Sequence, residues 1–233
     1  MTEKYPKAVT AAIAKCMRKQ RKSRNGSFKM KRCCIFSGGE LEEYNFIEIK
    51  DTDYIICADS GLKHAQRLKI APDLVIGDFD SYSGDIPQDT ECISCKPEKD
   101  DTDTLMAVKQ AISRGFDEIM IYGGYGGRFD HTIANVQTLK YAMEHGVRAY
   151  LEESQNKTYM LSEGVHRLFS EKKYLSVFAY GGELKIKKLS GVKYELENTA
   201  LNVDFPLGVS NEIESEEAVI EIEEGTALII CSD

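Results

Sequence analysis

Nowhere among its 233 residues does the chain hold an apolar run of the length that a bilayer span requires, which argues against a membrane protein. Cysteine is present in an odd number, seven (Cys16, Cys33, Cys34, Cys57, Cys92, Cys95 and Cys231), with several inside apolar stretches. That pattern speaks against a disulfide framework and for buried free thiols in a reducing cytosol, so the chain is expected to be cytoplasmic. Cys92-Ile-Ser-Cys95 is a lone CxxC with no second pair and no nearby histidine, and it reads as two strand or loop thiols, not as a zinc or redox site. Histidine is scarce as well: of the four, His131 alone lies near a motif, and all are read as incidental. Basic charge is scarce everywhere but at one end. Residues 1–29 hold nine of the 30 Lys and Arg and one of the 38 acids, so the remainder is far more acidic than the net charge of −8 implies. An acidic body lacks the basic face that a phosphate backbone needs, which excludes nucleic acid as the main ligand.

The basic head is read as an extension outside the fold. Pro6 can start a helix with Val9, Ile13, Cys16 and Met17 on one face and six basic residues between Lys15 and Arg24 on the other. Its weak apolar stretch, Ala11 to Ala14, does not make a secretory signal, while its basic content is compatible with an organelle transit peptide. From Met30 the chain alternates. Strands are predicted at 33–36, 54–58, 73–76, 90–94, 118–122 and 147–151, and helices at 60–69, 102–114 and 131–145, with Gly115 and Gly146 placed as left-handed C-caps. Near Gln155 the helical period disappears. Short alternating runs follow at 158–161, 165–169, 174–179, 184–186, 194–196, 209–214, 218–222 and 227–231, separated by turn residues such as Gly181-Gly182 and Glu224-Gly225. The expected fold class is therefore α/β followed by all-β: a mostly parallel sheet with flanking helices, then an antiparallel β-sandwich. The expected domains are a basic N-terminal extension at 1–29, an α/β domain at 30–154 and a β-sandwich domain at 155–233.

Four aspartate-bearing clusters punctuate the α/β part, each where a strand should end: Ala58-Asp59-Ser60-Gly61, Gly77-Asp78-Phe79-Asp80-Ser81, Lys99-Asp100-Asp101-Thr102-Asp103 and Gly126-Gly127-Arg128-Phe129-Asp130. Ligands of open α/β sheets sit beyond the carboxyl ends of the strands. Carboxylates gathered there repel one another unless a cation lies among them, and oxygen-only donors beside a phosphorylated substrate suit Mg²⁺. The glycine-rich turn Gly123-Gly-Tyr-Gly-Gly127 falls between a strand and a helix, where backbone N–H groups can hold phosphate. It lacks the Gly-Lys-Ser/Thr ending of a P-loop, and a dinucleotide fingerprint is incomplete, ending at Phe129. Arg128 carries the planar fork that suits phosphate. Several of these acids have a plain structural alternative as helix caps, Asp101 and Asp130 above all.

The ordered set ADSG, IGDFDS, KDDTDT and GGRFDH, followed by Gly208-Val-Ser-Asn211 in a C-terminal β part, resembles thiamine pyrophosphokinase over roughly residues 30–231. The resemblance implies transfer of the β,γ-pyrophosphoryl group of ATP to the hydroxyl of thiamine. It also implies a homodimer whose sites lie between the α/β domain of one subunit and the β domain of the other. Carried over residue by residue, it places Mg²⁺ on Asp78, Asp80, Asp103 and the hydroxyl of Thr102. Asp59 and Asp100 fall in the same cleft, Lys99 at ATP phosphate, Arg128 and Asp130 at the turn facing nucleotide and thiamine, and Ser210 and Asn211 at the thiamine ring. One departure stands out: animal members set a tryptophan against thiamine, and this chain has none. Asp78, Asp80, Asp100 and Asp103 are the expected catalytic acids, with Asp100 taken as the proton acceptor ahead of Asp59 and Asp130. Two alternatives remain open: a pyrophosphokinase with a pterin alcohol as acceptor, and a nucleotide or thiamine sensor that does no chemistry.

Overall fold

Strands β1 (Arg32–Phe36), β2 (Tyr54–Ala58), β3 (Leu74–Gly77) and β5 (Glu118–Tyr122) are buried along almost their whole length. Such continuous apolar runs are what a parallel sheet covered on both faces demands. The computed structural model describes residues 30–77, 90–94, 100–169 and 171–233, so the helix expected near Pro6 lies outside the described residues. With β4 (Glu91–Ser94) and β6 (Arg148–Glu152), six parallel strands run in the order β4-β3-β2-β1-β5-β6.

Successive strand residues point to opposite faces, and each face has its own cover. On one face Ile35, Ile56, Ile76, Ile119 and Ile121 meet helices α2 (Asp103–Ser113) and α3 (Phe129–Glu144). Both helices present buried residues at i, i+3, i+4 and i+7: Thr104, Ala107, Val108 and Ala111 in α2, and Asn135, Thr138, Leu139 and Ala142 in α3. Gly115 and Gly146 follow them with φ of 78° and 74°, the left-handed caps expected. On the other face Cys34, Phe36, Cys57, Val75 and Tyr122 pack with Leu62 and Ala65 of the short helix α1 (Leu62–Leu68) and with the 41–49 segment. Where one helix was expected at 60–69, a 3₁₀ turn, Asp59–Gly61, precedes α1.

The β half is not wholly separate from the parallel sheet. Strand β7 (Asn156–Leu161) pairs antiparallel with β6, Tyr150 opposite Tyr159, and β13 (Ala227–Ser232) and β9 (Tyr174–Ala179) carry the same sheet onward to nine strands, with β9 at its edge. A four-stranded antiparallel sheet in the order β11 (Leu196–Leu201), β10 (Leu184–Ser190), β12 (Ala218–Glu224) and β8 (Gly164–Leu168) packs against that extension. The core between them holds Leu168, Val177, Leu184, Ile186, Ile220, Ile222, Ile229 and Cys231. This is the expected sandwich, with one of its sheets borrowed from the α/β half. Two strand expectations need correction. The run at 194–196 enters a strand only at Leu196, and 209–214 forms isolated bridges, Leu175 with Asn211 and Val192 with Ile213, in place of a strand. Gly208 explains the second case in part. Its backbone lies so close to β9 that an added Cβ would stand 2.1 Å from Val177 O, which forces an irregular path.

Among the described cysteines, Cys33, Cys34, Cys57 and Cys231 are buried free thiols as expected, and Cys92 is exposed. Burial pushes the thiols of Cys34 and Cys57 up to about 12, which leaves them unreactive. The start of β1 is tied to the segment before β2 by an ion pair. Arg32 grips Asp53 with both arms, Nε to Oδ1 at 3.0 Å and Nη2 to Oδ2 at 2.5 Å, and the Lys50 amide donates to the same carboxylate at 2.7 Å. Burial raises the Asp53 pKa, but Arg32 and the Lys50 amide outweigh it and hold the carboxyl below its ordinary value of 3.8. The pair's contribution is therefore fully present above that value and is lost as pH falls through the lowered one. Asp53→Asn should cost about 3 kcal/mol at neutral pH, because it leaves a guanidinium in a buried site without its counter-charge. Urea unfolding at pH 7 measures this, and a loss below about 1 kcal/mol would show that the pair is not structural.

Candidate active site

The parallel order places the chain's change of direction between β1 and β5. From β1 the chain steps to β2 on one side, and from β5 to β6 on the other, so the loops leaving these neighbours diverge and open a crevice at their carboxyl ends. Backbone bonds continue past the strand ends, with Ser37 N donating to Tyr122 O at 2.8 Å and Gly39 N to Gly123 O at 2.9 Å. A Cβ at Gly39 would stand 2.4 Å from Gly123 O, so only glycine permits this approach. Ser37 Oγ meets Thr104 Oγ1 at 2.9 Å and ties the end of β1 to the first turn of α2.

Asp59 stands at the end of β2 with φ of 50°, a left-handed conformation in a residue that is not glycine. Its Oδ1 is buried and, among the described residues, has no hydrogen-bond partner. A Cβ built on Gly77, the residue directly before Asp78, would lie 3.2 Å from Asp59 Cα, and one on Gly38 would lie 3.7 Å from Asp59 Oδ2. The ends of β1, β2 and β3 thus converge on this carboxylate. A strained backbone and an orphaned carboxylate oxygen in one residue are features that folding alone does not reward.

Asp78, Asp80 and Lys99 lie outside the described residues. Asp100 is exposed at the foot of α2. Thr102 caps that helix, its hydroxyl accepting from Leu105 N at 3.2 Å, and Asp103 lies in the first turn. A hydroxyl oxygen has a second lone pair, so capping leaves Thr102 able to bind a cation. The helix cap expected of Asp101 falls to Thr102, and Asp101 instead pairs with Lys109 at 2.5 Å. Arg128 and Asp130 project from the start of α3, largely exposed, and pair with each other at 2.6 Å. The intervening Gly123–Gly127 turn is anchored from within. Asn135 Nδ2 donates to Gly124 O at 2.7 Å, and Tyr125 reaches across to Leu151 O and to Thr158 Oγ1 at 2.6 Å.

Ser210 and Asn211 are not in this crevice. They run beside β9, the far edge of the sheet, with four strands between β9 and β1, which puts them about 24 Å away at the usual strand spacing. Asn211 is buried, and its side chain is spent on the backbone. Its Oδ1 accepts from Tyr194 N at 2.9 Å and Glu212 N at 3.0 Å, and its Nδ2 donates to Tyr194 O at 2.8 Å. Ser210 is exposed with φ of 59°, its N–H donating to Ser176 Oγ at 3.1 Å. Tyr194, held by Asn211 at both backbone polar atoms, is 60% exposed.

Two groups at the crevice escape the sequence reading. Ser37-Gly38-Gly39 directly follows β1 at the turning point, and a Ser-Gly-Gly after the first strand was the available sign. The reading of all four histidines as incidental does not hold for His64, which is 1% exposed with both ring nitrogens engaged. Among the described residues no three His, Cys, Asp or Glu side chains are grouped to hold a metal. The oxygen donors present (Asp59, Asp103 and Thr102) nonetheless suit a hard divalent cation in type, and the orphaned Asp59 oxygen is available to one.

Comparison with known proteins adds to this geometry. Residues 47–151 match the family described as thiamin pyrophosphokinase, catalytic domain, and residues 162–228 match thiamin pyrophosphokinase, vitamin B1 binding domain. The chain is 28% identical over 184 residues to the thiamine pyrophosphokinase of Bacillus subtilis, covering 76% of this chain and 86% of that one. Among solved structures, the Bacillus subtilis thiamine pyrophosphokinase superposes with a TM-score of 0.79 at 25% identity, covering 87% of this chain and 99% of the other. A thiamin pyrophosphokinase family protein from Enterococcus faecalis gives 0.77 at 28% identity with the same two coverages.

Proposed function

This chain belongs to the thiamin pyrophosphokinase family, and on that premise we propose that it transfers the β,γ-pyrophosphoryl group of ATP to the hydroxyl of thiamine, giving thiamine diphosphate and AMP. The observation that carries the reading is the pair of matched regions, catalytic then vitamin-binding, which cover both halves of the fold in order. In the reaction the thiamine hydroxyl oxygen attacks the β-phosphorus in line. The bond from that phosphorus to the α,β-bridging oxygen breaks, and AMP leaves with that oxygen. The hydroxyl proton passes to a carboxylate, assigned to Asp100, with Asp59 and Asp130 as the other acids of the cleft. Asp78, Asp80, Asp103 and Thr102 would hold Mg²⁺, which when bound supplies positive charge against the phosphate oxygens. Lys99 and Arg128 are assigned to ATP phosphates, and Asp130 to the nucleotide- and thiamine-facing turn.

The division of labour follows the fold: residues 30–154 bind ATP and metal, and 155–233 bind thiamine and mediate dimerisation. Residues 1–29 are a basic extension. The distance between the crevice and Ser210-Asn211 supports a homodimer in which each site combines the crevice of one subunit with the β9 edge of its partner. Among the described residues no helix is long and apolar enough to cross a membrane. We place the enzyme in the cytoplasm on the strength of its free thiols. Incubation with ATP, Mg²⁺ and thiamine, followed by chromatography for AMP and thiamine diphosphate, tests the reaction. Turnover with a pterin alcohol but not with thiamine would favour the pterin alternative, and ATP binding without any turnover would favour a sensor.

The exposed Tyr194 ring offers the flat surface that a chain without tryptophan needs against the thiamine rings. Tyr194→Ala should raise the KM for thiamine about tenfold and leave the KM for ATP unchanged, while Tyr194→Phe keeps near-normal values. Equal effects of both substitutions on the two substrates would remove Tyr194 from the thiamine site.

A further inference from the structure

His64 on α1 is a buried ionisable side chain beside the crevice that the reaction does not use. Its Nε2 lies 2.7 Å from the carbonyl oxygen of Gly39, and its Nδ1 lies 2.7 Å from the hydroxyl of Tyr44. A carbonyl only accepts, so Nε2 carries the proton, and Nδ1 then accepts from the Tyr44 O–H. Burial holds the imidazole below its ordinary value, so the ring stays neutral at physiological pH. The Gly39 hydrogen bond and Glu40 favour a charge on the ring, while Lys63 and, more weakly, Arg67 on α1 oppose it. Tyr44 is fixed in turn by the Arg67 guanidinium, 4.8 Å from its ring centroid. Lys63 Nζ and Ser60 Oγ both approach Gly38 O, each at 3.4 Å. Three residues of the Asp59–Leu68 stretch therefore converge on the two carbonyls of the Gly38-Gly39 turn.

The Gly39 carbonyl is held toward α1, and in a trans peptide the following amide, that of Glu40, points the opposite way. Neither the Gly38 nor the Glu40 amide donates to a described protein atom, whereas the Gly39 amide between them is committed to Gly123. An ordered turn at the topological switch point, with two N–H groups that meet no described acceptor, is suited to receiving phosphate oxygens.

We propose that His64, oriented by Tyr44, is a positioning residue that locks the Gly38-Gly39 turn in the orientation that receives the phosphates of ATP. This rests on the proposed use of the crevice for the nucleotide. The imidazole touches neither substrate. It sets the direction of a peptide group, and the neutral Nε2–H tautomer is the only form that donates to Gly39 while accepting from Tyr44.

The test uses the full-length protein, an ATP analogue with an uncleavable α,β bridge, and thiamine, each titrated calorimetrically. His64→Leu should weaken the analogue about tenfold, with thiamine affinity within about twofold of wild type, because only the nucleotide turn is released. His64→Gln, whose amide can reach Gly39 O, should restore analogue binding to within about threefold. Tyr44→Phe, close to isosteric, leaves the Gly39 carbonyl as acceptor, so ¹⁵N spectra of the histidines should still show the Nε2–H form of His64, with Nδ1 shifted by the loss of its hydrogen bond and the analogue bound about threefold more weakly. Analogue binding unchanged in His64→Leu, or no better in His64→Gln than in His64→Leu, would overturn the proposal. So would parallel loss of both ligands, or a wild-type spectrum showing Nδ1–H. Should His64→Leu fail to fold, His64→Gln and Tyr44→Phe still decide it. Absence of AMP formation by the wild type would refute the catalytic reading instead, since the binding and tautomer measurements do not depend on turnover.

Discussion

Asp59→Asn is expected to reduce turnover about a thousandfold or more while leaving the fold at least as stable as before. The two halves of this expectation come from the same observation. A buried carboxylate oxygen with no partner among the described residues costs stability, and it persists at a left-handed backbone position where glycine or asparagine is easier to accommodate. Asparagine is nearly isosteric, carries no charge and tolerates that conformation, so the thermal midpoint should stay level or rise. What it cannot do is supply a full negative charge to a metal–nucleotide complex or to a proton. Calorimetric unfolding beside the AMP-release assay measures both properties. Normal turnover would remove Asp59 from the site, and a lowered midpoint would show that its carboxylate is structural.

The second large effect concerns assembly. Asp59→Asn damages the crevice, and Asn211→Ala damages the segment at the β9 edge. Asn211→Ala leaves the backbone groups of Tyr194 and the Glu212 amide without partners, at a cost of about 2 kcal/mol and with thiamine KM raised more than tenfold. At low thiamine each variant alone should be nearly inactive. If each site takes its crevice from one subunit and its thiamine segment from the other, a mixed dimer has one site with both lesions and one with none. Statistical mixing by joint unfolding and refolding should then recover about a quarter of wild-type activity. Activity no greater than the sum of the separate variants would show that each chain builds its own site and would refute the shared arrangement.

The local features of the fold were legible in the sequence because their causes are local. Strand–helix alternation follows from side-chain period, and the caps at Gly115 and Gly146 follow from the need for positive φ after a helix. The aspartate clusters could be placed at strand ends because the strands themselves could be read, and the two halves could be told apart because the helical period stops near Gln155. The motif resemblance pointed to the family that the comparisons then supported. What distance in sequence hides, only tertiary pairing decided. That β7, β13 and β9 extend the parallel sheet depends on Tyr150 meeting Tyr159 and on the last strand, Ala227–Ser232, returning between two earlier ones. No periodicity encodes such partners. The irregular path at 208–211 arises because Gly208 sits against Val177, more than thirty residues earlier, so an alternating run that reads as a strand becomes two bridges. His64 looked like one polar residue on a short helix, and its importance depends on Gly39 and Tyr44, brought to its two nitrogens by the folding of β1 beside α1. Composition and period specify elements, whereas a site at a switch point is specified by which strand ends become neighbours, and that is settled only when the whole sheet closes around its core.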